Sequence, residues 1–368
     1  MKVLMIGRAT LFSHPGGDTM HLTKTAEYLN KTKQVEVDIV TVDKEIDYYT
    51  YDLIHLFNIC RPADLLGVIK KAHKPYFVST VFVDFSEAEK NHYKATRRFL
   101  SRIFNFNQLE YIKAIARILK GHDKLTDISY VYKGQKQSIR EILKRAEMLL
   151  PNSKSEYKRL VLAYGVAKDY RVIPNAIDIS IFSADKPENK ALNKFDNAVI
   201  SVGQITPVKN QLHIIKALND TKYNVYIIGS PSSNALGYYN KCKEIAADNI
   251  KFISHLKQKE LAEIFKRAKV HVLASWFETT GLVTLEAAYS GCNIVISNRG
   301  DQTEYFRDEV FYCEPSEISS ITKAVDLAYN SAFNVNLKSR IETDYNWEKT
   351  ALETLKAYKI VSCSEEDD

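Results

Sequence analysis

Two glutamates flank a helix start in FETTGLVTLEAAYSG, residues 277–291. Glu278 precedes a Thr-Thr-Gly turn, and Glu286 lies one turn inside the helix that opens near Leu282. The first N–H groups of a helix have no partner within it and, with the helix dipole, they favour phosphate. A helical stretch would separate the two acids by ~12 Å at ~1.5 Å per residue, which is about the span from a hexose to a ribose across a diphosphate. The pattern therefore predicts that one carboxylate binds sugar hydroxyls and the other a ribose diol.

The residues between the two acids are neutral, so no charge there would repel a phosphate. Gly281 has no Cβ and would let the backbone approach a ligand closely. Two arbitrary glutamates are more often a solvated helix residue and a first-turn charge. The interpretation therefore depends on the rest of the sequence.

A second segment, SVGQITPVKNQLHIIKAL at residues 201–218, has the same plan. A strand ends at Gly203, a loop follows, and an amphipathic helix begins near Asn210. Lys209 at the end of the loop could neutralise charge that grows on a departing diphosphate. An ordinary surface lysine is the alternative.

Short apolar runs alternate with helical patterns along the whole chain, which is typical of βαβ units and parallel sheets. The first half contains strand candidates at Val3–Gly7, Val35–Val42, Leu53–Phe57, Tyr76–Val83, Met148–Pro151 and Arg171–Ile173. The second half contains strand candidates at Ala198–Gly203, Asn224–Gly229, Lys251–Ser254, Val270–Ala274, Asn293–Ser297 and Phe311–Cys313. The polar stretch 183–197 reads as a connection, so we place the domain boundary near residue 180. Ligands of such sheets bind at the carboxyl ends of the strands, in a cleft between two facing domains.

Composition excludes several classes of protein. With 368 residues, 45% apolar and 26% charged, the chain can bury two cores. No apolar run approaches the ~18 residues of a membrane span, and MKVLMIGRAT reads as a first buried strand, not a signal peptide. The five cysteines are scattered and never form CxxC, which disfavours a disulfide framework or a metal site and favours a reducing cytoplasm.

Positive charge is concentrated between residues 90 and 145. This segment holds 14 Lys plus Arg against 4 Asp plus Glu, a net +10 in a chain whose total is +6. Within residues 97–120, apolar and basic side chains alternate at roughly helical spacing. The apolar residues are Phe99, Ile103, Phe106, Ile112, Ile115 and Leu119, and the basic ones are Arg97, Arg98, Arg102, Lys113, Arg117 and Lys120. The pattern predicts a helix on an anionic membrane surface. The alternatives are a domain helix that packs its apolar side inward and a nucleic-acid-binding surface, although no recognised nucleic-acid module accompanies the charge.

Taken together, these stretches resemble the retaining, nucleotide-sugar-dependent glycosyltransferases of family four (glycosyl transferases group 1), of the bacterial surface-polysaccharide type. The resemblance is carried by VGQITPVKNQ, IIGSPSSNALGYYNKC, ASWFETTGLVTLEAAYSGCNIVISN, RGDQTEYF and RVIPNAIDISIF. It implies the α/β GT-B fold, with two Rossmann-like doubly wound domains facing across a cleft. The implied domains are an acceptor-binding domain at 1–180, a donor domain at 181–345, a C-terminal helix at 346–362 that crosses back to the first domain, and an acidic tail at 363–368.

The resemblance also implies residue roles. Glu278 and the amides of Thr280 to Leu282 would meet the donor sugar and diphosphate, Lys209 the phosphates and Glu286 the ribose. The donor-binding candidates are Gly16, Gly17, Gly203, Gln204, Lys209, Glu278, Thr280, Gly281, Leu282 and Glu286, and the catalytic candidates are Glu278, Lys209 and Asp84. Gly16 and Gly17 form a turn before a helix near Thr19, for which Asp18 is a natural N-cap. Glu304 is either a supporting acid near the donor or a helix-start charge.

The chain departs from the pattern of this family in two places. Gln204 stands where the family usually has an arginine, so diphosphate binding depends more on Lys209. STVFVDFSE, at the end of the fourth strand, lacks the histidine of many members. Asp84 in that stretch either orients an acceptor or donor hydroxyl or caps the next helix, and His55 is more often a packed histidine than an acid or base.

The expected function is that of a retaining hexosyltransferase (EC 2.4.1.-). It would move a hexose from a UDP- or GDP-sugar to a glycan acceptor, such as a polyprenyl-linked one, in surface polysaccharide or lipopolysaccharide synthesis. We expect a cytoplasmic protein, peripheral on the inner face of the plasma membrane, that needs no cofactor and no metal because no DxD motif or ligand cluster is present. The alternatives are a non-catalytic nucleotide-sugar-binding GT-B subunit, an RNA-binding protein and a GT-B epimerase.

Overall fold

The structure, a computed structural model, describes residues 1–92, 103–121, 123–183 and 190–364. Within these residues the chain forms two compact units. The first comprises Met1–Val83, Phe99–Ala176 and Trp347–Asp368, and the second Asp84–Arg98 and Ile177–Asn346, each as far as it is described. Of the predicted membrane helix, Arg97, Arg98, Phe99 and Arg102 lie outside the described residues.

The first unit contains a five-stranded sheet in the order β2-β1-β3-β4-β5, and all its pairings are parallel. Its strands are β1 (Lys2–Gly7), β2 (Glu36–Thr41), β3 (Leu53–Phe57), β4 (Tyr76–Ser79) and β5 (Met148–Leu149). Most of β1, all of β3 and all of β4 are buried, because helices cover both faces of a parallel sheet.

The second unit contains a six-stranded sheet in the order β11-β10-β9-β6-β7-β8, again parallel throughout. Its strands are β6 (Val199–Val202), β7 (Val225–Ile228), β8 (Ile250–Ile253), β9 (Val270–Leu273), β10 (Asn293–Ser297) and β11 (Phe311–Cys313). Strands β6 and β9 are neighbours, with Val199 opposite Val270. The loops that follow these two strands therefore leave the same edge of the sheet side by side.

The helices follow the predicted alternation with the strands. In chain order they are α1 (Gly17–Lys31), α2 (Pro62–Lys71), α3 (Ser86–His92), α4 (Phe106–Leu119), α5 (Ser129–Arg145), α6 (Lys154–Tyr164), α7 (Ile179–Phe182), α8 (Gln211–Leu218), α9 (Leu236–Glu244), α10 (Gln258–Phe265), α11 (Leu282–Tyr289), α12 (Gln302–Phe306), α13 (Ile318–Asn330), α14 (Val335–Asp344) and α15 (Trp347–Ser364). The doubly wound α/β class predicted from the sequence is confirmed.

One strand prediction was wrong. Arg171–Ile173 is not a strand, although its N–H groups donate to the carbonyls of Leu149 and Pro151 at 3.0 and 2.8 Å. The neighbouring β5 has only two residues, so the pairing is reduced to a single bridge between Leu149 and Tyr170.

The predicted N-cap of α1 was also wrong. Gly16 caps the helix, and Asp18 lies in the first turn. The Asp18 carboxylate instead accepts from the Arg8 guanidinium at 2.7 and 3.1 Å, which leaves the capping position to the residue two earlier.

The C-terminal helix α15 packs against α1 in the first unit. The His55 ring bonds the Tyr358 hydroxyl at 2.6 Å and the Ser79 hydroxyl at 2.9 Å. Complete burial holds the pKa of His55 well below its usual value. His55 is therefore a neutral, packed histidine, as expected for a residue in the middle of a buried strand.

Candidate functional site

The second unit brings together the two candidate catalytic side chains that lie on either side of the β6–β9 boundary. The Lys209 ammonium donates to Oε1 of Glu278, although 69 residues separate them. The Glu278 side chain is only 9% exposed and the Lys209 side chain 25% exposed. An ammonium has three donors, so Lys209 can keep this bond and still donate to a phosphate oxygen.

Two hydrogen bonds hold the two loops together. The backbone N–H of Trp276 donates to the carbonyl of Val208 at 2.8 Å, and the side-chain amide of Asn210 donates to the carbonyl of Ala274 at 3.0 Å. Asn210 adopts a left-handed conformation, with φ 60°, between the 3-10 turn Pro207–Lys209 and α8. These contacts of Val208 and Asn210, the residues on either side of Lys209, hold its backbone beside the loop that contains Glu278.

Glu278 is fixed from the other side by the turn before α12. Its carbonyl accepts from the N–H of Asp301 at 2.8 Å. Gly300, with φ 77°, packs its Cα so closely that a Cβ would lie 1.9 Å from the Glu278 carbonyl oxygen. Only glycine fits at this position, because any side chain would push the Glu278 backbone away.

The helix start predicted after Glu278 is confirmed. Gly281 is the N-cap of α11 with φ 71°, a left-handed conformation that favours glycine, and its carbonyl accepts from Thr284 N–H at 2.8 Å. The helix ends at Tyr289, followed by Ser290 and by Gly291 with φ 102°. Regular helix begins only at Leu282. The helical rise per residue, from which the distance between Glu278 and Glu286 was predicted, therefore applies only from Leu282 to Glu286.

Glu286 lies one turn inside α11 and is buried. Burial raises the pKa of this carboxyl to about 7, and a hydrogen bond from the Gln258 amide at 2.9 Å opposes that rise. With a pKa of about 7, the carboxyl is poised between its neutral and ionised forms near neutral pH. A pair of donating hydroxyls would favour the ionised form.

The remaining donor-site candidates of this unit lie around the same loops. Thr280 is buried, and Leu282 is half-buried at the helix start. Gly203 directly follows β6, with open space where a Cβ would lie, and Gln204 is exposed. The structure therefore groups these residues at the carboxyl edge of one sheet.

In the first unit, Gly16 and Gly17 are exposed at the start of α1, and no atom lies within 4 Å of the position that a Cβ on Gly17 would take. The loop before them is anchored by Arg8, whose guanidinium donates to the carbonyls of Thr10 and His14, each at 2.8 Å. Burial would raise the pKa of Asp18, but hydrogen bonds from Arg8 and Asn58 and the Arg8 charge hold it below its usual value. The structure thus presents the glycine turn on a rigid base.

Asp84 follows the fourth strand, as predicted, and groups with the second unit. Its carboxylate accepts from the N–H of Ser86 at 2.9 Å at the start of α3. This contact matches the capping alternative. Glu304 lies in the first turn of α12, a helix-start position.

Sequence reasoning missed Arg8 and Gln258. Arg8 follows a buried strand directly and is itself 8% exposed, and a basic residue at such a position is a signal for a buried ion pair. Gln258 gave no local signal, because its partner lies 28 residues away. Among the described residues, no three His, Cys, Asp or Glu side chains are grouped so that they could hold a metal ion.

Comparison with known proteins shows a similarity in the unit that contains this site. Residues 183–349 match the family model described as Glycosyl transferases group 1. The matched range contains Lys209, Glu278 and Glu286, whereas Gly16 and Gly17 lie outside it.

Relatives in sequence are similar over about half of the chain or somewhat more. The chain is 26% identical over 243 residues to the D-inositol 3-phosphate glycosyltransferase of Geodermatophilus obscurus, which covers 59% of this chain and 53% of that protein. It is 26% identical over 176 residues to an uncharacterized glycosyltransferase of Methanocaldococcus jannaschii, covering 45% of each. The chain spans about half the length of the curated relatives it matches.

Solved structures resemble the whole chain. Sucrose-phosphate synthase from Thermosynechococcus elongatus has a TM-score of 0.74 at 14% identity, over 99% of this chain and 100% of that one. Anabaena HepE, solved in complex with UDP and glucose, has a TM-score of 0.66 at 15% identity, over 98% and 99%. These likenesses show the GT-B fold, with its two parallel-sheet, Rossmann-like domains.

Proposed function

We propose that this protein is a glycosyltransferase that moves a hexose from a UDP- or GDP-sugar to a glycan acceptor. The observation that carries the proposal is the Lys209–Glu278 pair beside the start of α11, where a cation, a carboxylate and a helix N-terminus lie together. These are the groups that a sugar diphosphate requires. HepE, which is similar in fold, was solved with UDP-glucose, and this supports a nucleotide sugar as the donor.

In this proposal, Lys209 and the amides at the start of α11 stabilise the negative charge that develops on the departing diphosphate. Glu278 accepts hydrogen bonds from hydroxyls of the transferred sugar, and Glu286 accepts them from the ribose. The acceptor hydroxyl attacks from the face that the phosphate leaves, and a phosphate oxygen takes its proton, so the anomeric configuration is retained. No side chain is assigned as a covalent nucleophile, and no metal or cofactor takes part.

A thermal-shift screen tests the proposal. We expect a UDP or GDP nucleotide, or its hexose conjugate, at 100 times its Kd to stabilise the protein by about 2.7 kcal/mol, which raises the Tm by several degrees. ADP and ADP-sugars serve as comparison ligands. A folded protein whose Tm does not respond to any of these nucleotides would contradict the proposal.

Product analysis then separates the enzyme from its rivals. Donor binding with neither sugar transfer nor slow donor hydrolysis would indicate a non-catalytic GT-B subunit. Conversion of the free nucleotide sugar without acceptor would indicate an epimerase. The expected result is a glycosylated acceptor with the anomeric configuration of the donor, detected by NMR of the product.

We further propose that the first unit docks on an anionic membrane surface, where a lipid-linked acceptor of surface-glycan synthesis would be found. Here the structure modifies the expected surface. Phe106 and Ile115 of α4 pack against the core of the unit, whereas Ile112 and Leu119 are 43% and 82% exposed. The apolar side of α4 is therefore only partly available to lipid.

Helix α5 and the residue before it supply the rest of the proposed surface. Ile128, Val131 and Tyr132 are 70%, 44% and 75% exposed. A shallow groove of about 330 Å³ on the same helix is lined by Lys133, Gln137, Arg140, Glu141, Lys144 and Arg145. Exposed apolar side chains beside basic ones favour a lipid surface over nucleic acid, for which the charges alone would suffice. No helix among the described residues is both long enough and apolar enough to cross a bilayer.

Charge reversal on α5 tests the membrane surface. Changing Arg140, Lys144 and Arg145 to Glu is expected to weaken binding to phosphatidylserine-containing liposomes about 100-fold or more, at about 1 kcal/mol per basic residue. The matched control changes the exposed Lys216, Lys241 and Lys251 of the second unit to Glu, which alters the net charge equally. Equal liposome binding by both variants, or tight salt-sensitive RNA binding by the wild type without affinity for liposomes, would contradict this surface.

A further inference from the structure

Gln302, the first residue of α12, is fully buried, and within the part of the chain that the structure describes neither its Nε2 nor its Oε1 has a hydrogen-bond partner. A buried amide without a partner costs free energy, and native proteins retain few of them. No role for this residue followed from the sequence. Its position in the fold suggests one.

The Gln302 amide lies against the helix start proposed to bind the donor. A Cβ built on Gly281 would be 2.8 Å from Nε2 of Gln302 and 3.1 Å from the Thr284 hydroxyl. Because Gly281 has no side chain, the amide faces the turn that opens α11 directly. An unpaired buried amide and a helix N-terminus therefore meet at one point.

The backbone keeps the amide in this place. The hydrogen bond from Asp301 N–H to the Glu278 carbonyl and the close approach of Gly300 to the same carbonyl clamp the residues just before Gln302 onto Glu278. The backbone at Gln302 is thereby held beside the residues that precede α11. The same clamp couples its position to that of Glu278.

We propose that Gln302 is a positioning residue of the donor site, an assignment that rests on the proposed function. Its amide supports the turn at Gly281 and becomes hydrogen-bonded to that turn when a nucleotide sugar occupies the start of α11. The Gln302 amide is thus hydrogen-bonded when the donor is bound. Without the donor, the amide has no partner, and this lowers the stability of the protein. Removing the amide should therefore stabilise the protein without nucleotide and weaken its affinity for the donor.

The test is Gln302→Met, which removes the amide and keeps an unbranched side chain of similar size. We expect the Tm without nucleotide to rise by about 2–4 °C and the Kd for UDP-glucose or GDP-mannose, whichever binds the wild type, to rise about tenfold in calorimetric titration. A purely structural role would not combine a higher Tm with weaker binding. Gln302→Leu provides a second variant if the methionine protein does not fold.

The matched control is Ser138→Ala in α5 of the first unit, because the Ser138 hydroxyl is also fully buried and has no hydrogen-bond partner among the described residues. It should raise the Tm in the same way and leave the Kd unchanged. If the wild type binds donor and Gln302→Met binds it equally well, or if the Tm falls in both Gln302 variants, the positioning role is overturned while the proposed function stands. If the wild type binds no nucleotide, both fail together.

Discussion

Replacing Glu278 with glutamine is expected to lower the rate of sugar transfer about 100- to 1,000-fold, the usual effect of removing one group that stabilises a transition state. The amide keeps the size of the side chain but carries no charge to hold the Lys209 ammonium in place. Hydrogen bonding to the sugar hydroxyls should weaken, and the Lys209 ammonium should be held less firmly in position to bind phosphate. The measurement is the transfer rate under saturating donor, together with the Kd for the donor.

The exposed Glu244 of α9 offers a matched control, since Glu244→Gln makes the same chemical change away from the site. A double-mutant cycle with Lys209→Met sharpens the result. The lysine change alone leaves a nearly buried carboxylate without its cation and should cost about 1–3 kcal/mol of stability, most of which the double variant should regain. Unchanged donor affinity and unchanged turnover in Glu278→Gln would remove the basis of the proposed function.

The second large effect concerns Glu286 and pH. The pKa of this carboxyl is about 7 in the folded chain and about 4.5 when it is unperturbed. Between these values the folded state holds a proton that the unfolded state has released, so the free energy of unfolding falls as pH rises through this window. The difference amounts to about 3 kcal/mol, at 1.36 kcal/mol per pKa unit. At pH 8, the free energy of unfolding of Glu286→Gln should therefore exceed that of the wild type by up to about 3 kcal/mol. At pH 4.5, the two free energies of unfolding should be nearly equal.

The affinity for the donor should change with pH in the opposite direction to the stability. Only the ionised carboxyl accepts hydrogen bonds from both ribose hydroxyls, so wild-type affinity should increase as pH rises through about 7, and Glu286→Gln should lose this increase. Taking the ratio of the two Kd values at each pH cancels the titration of the nucleotide phosphates. A ratio that is constant from pH 5.5 to 8.5 would show that Glu286 does not bind the donor in its ionised form.

Much of this protein follows from local sequence. The apolar residues Ile294, Val295 and Ile296 within Asn293–Ser297, and their counterparts in the other strands, predict strands buried on both faces, and such strands form parallel sheets covered by helices. The start of α11 was equally predictable, because Gly281 and Gly291 bound a stretch of helical pattern and both adopt the positive φ that glycine tolerates. Each of these features depends on neighbours within about ten residues.

What the sequence alone determined is the class of fold, the elements and the place of Glu286 within its helix. The tertiary structure decided which side chains meet. Lys209 contacts Glu278 because β6 lies beside β9, an adjacency that no residue near either side chain encodes. The contacts of Gln258 with Glu286 and of Gln302 with Gly281 likewise depend on how separate segments of the unit pack together. Helix and strand formation depend on short-range sterics and periodicity, whereas these contacts depend on the order in which the finished strands assemble, and that order is set by the packing of the whole core.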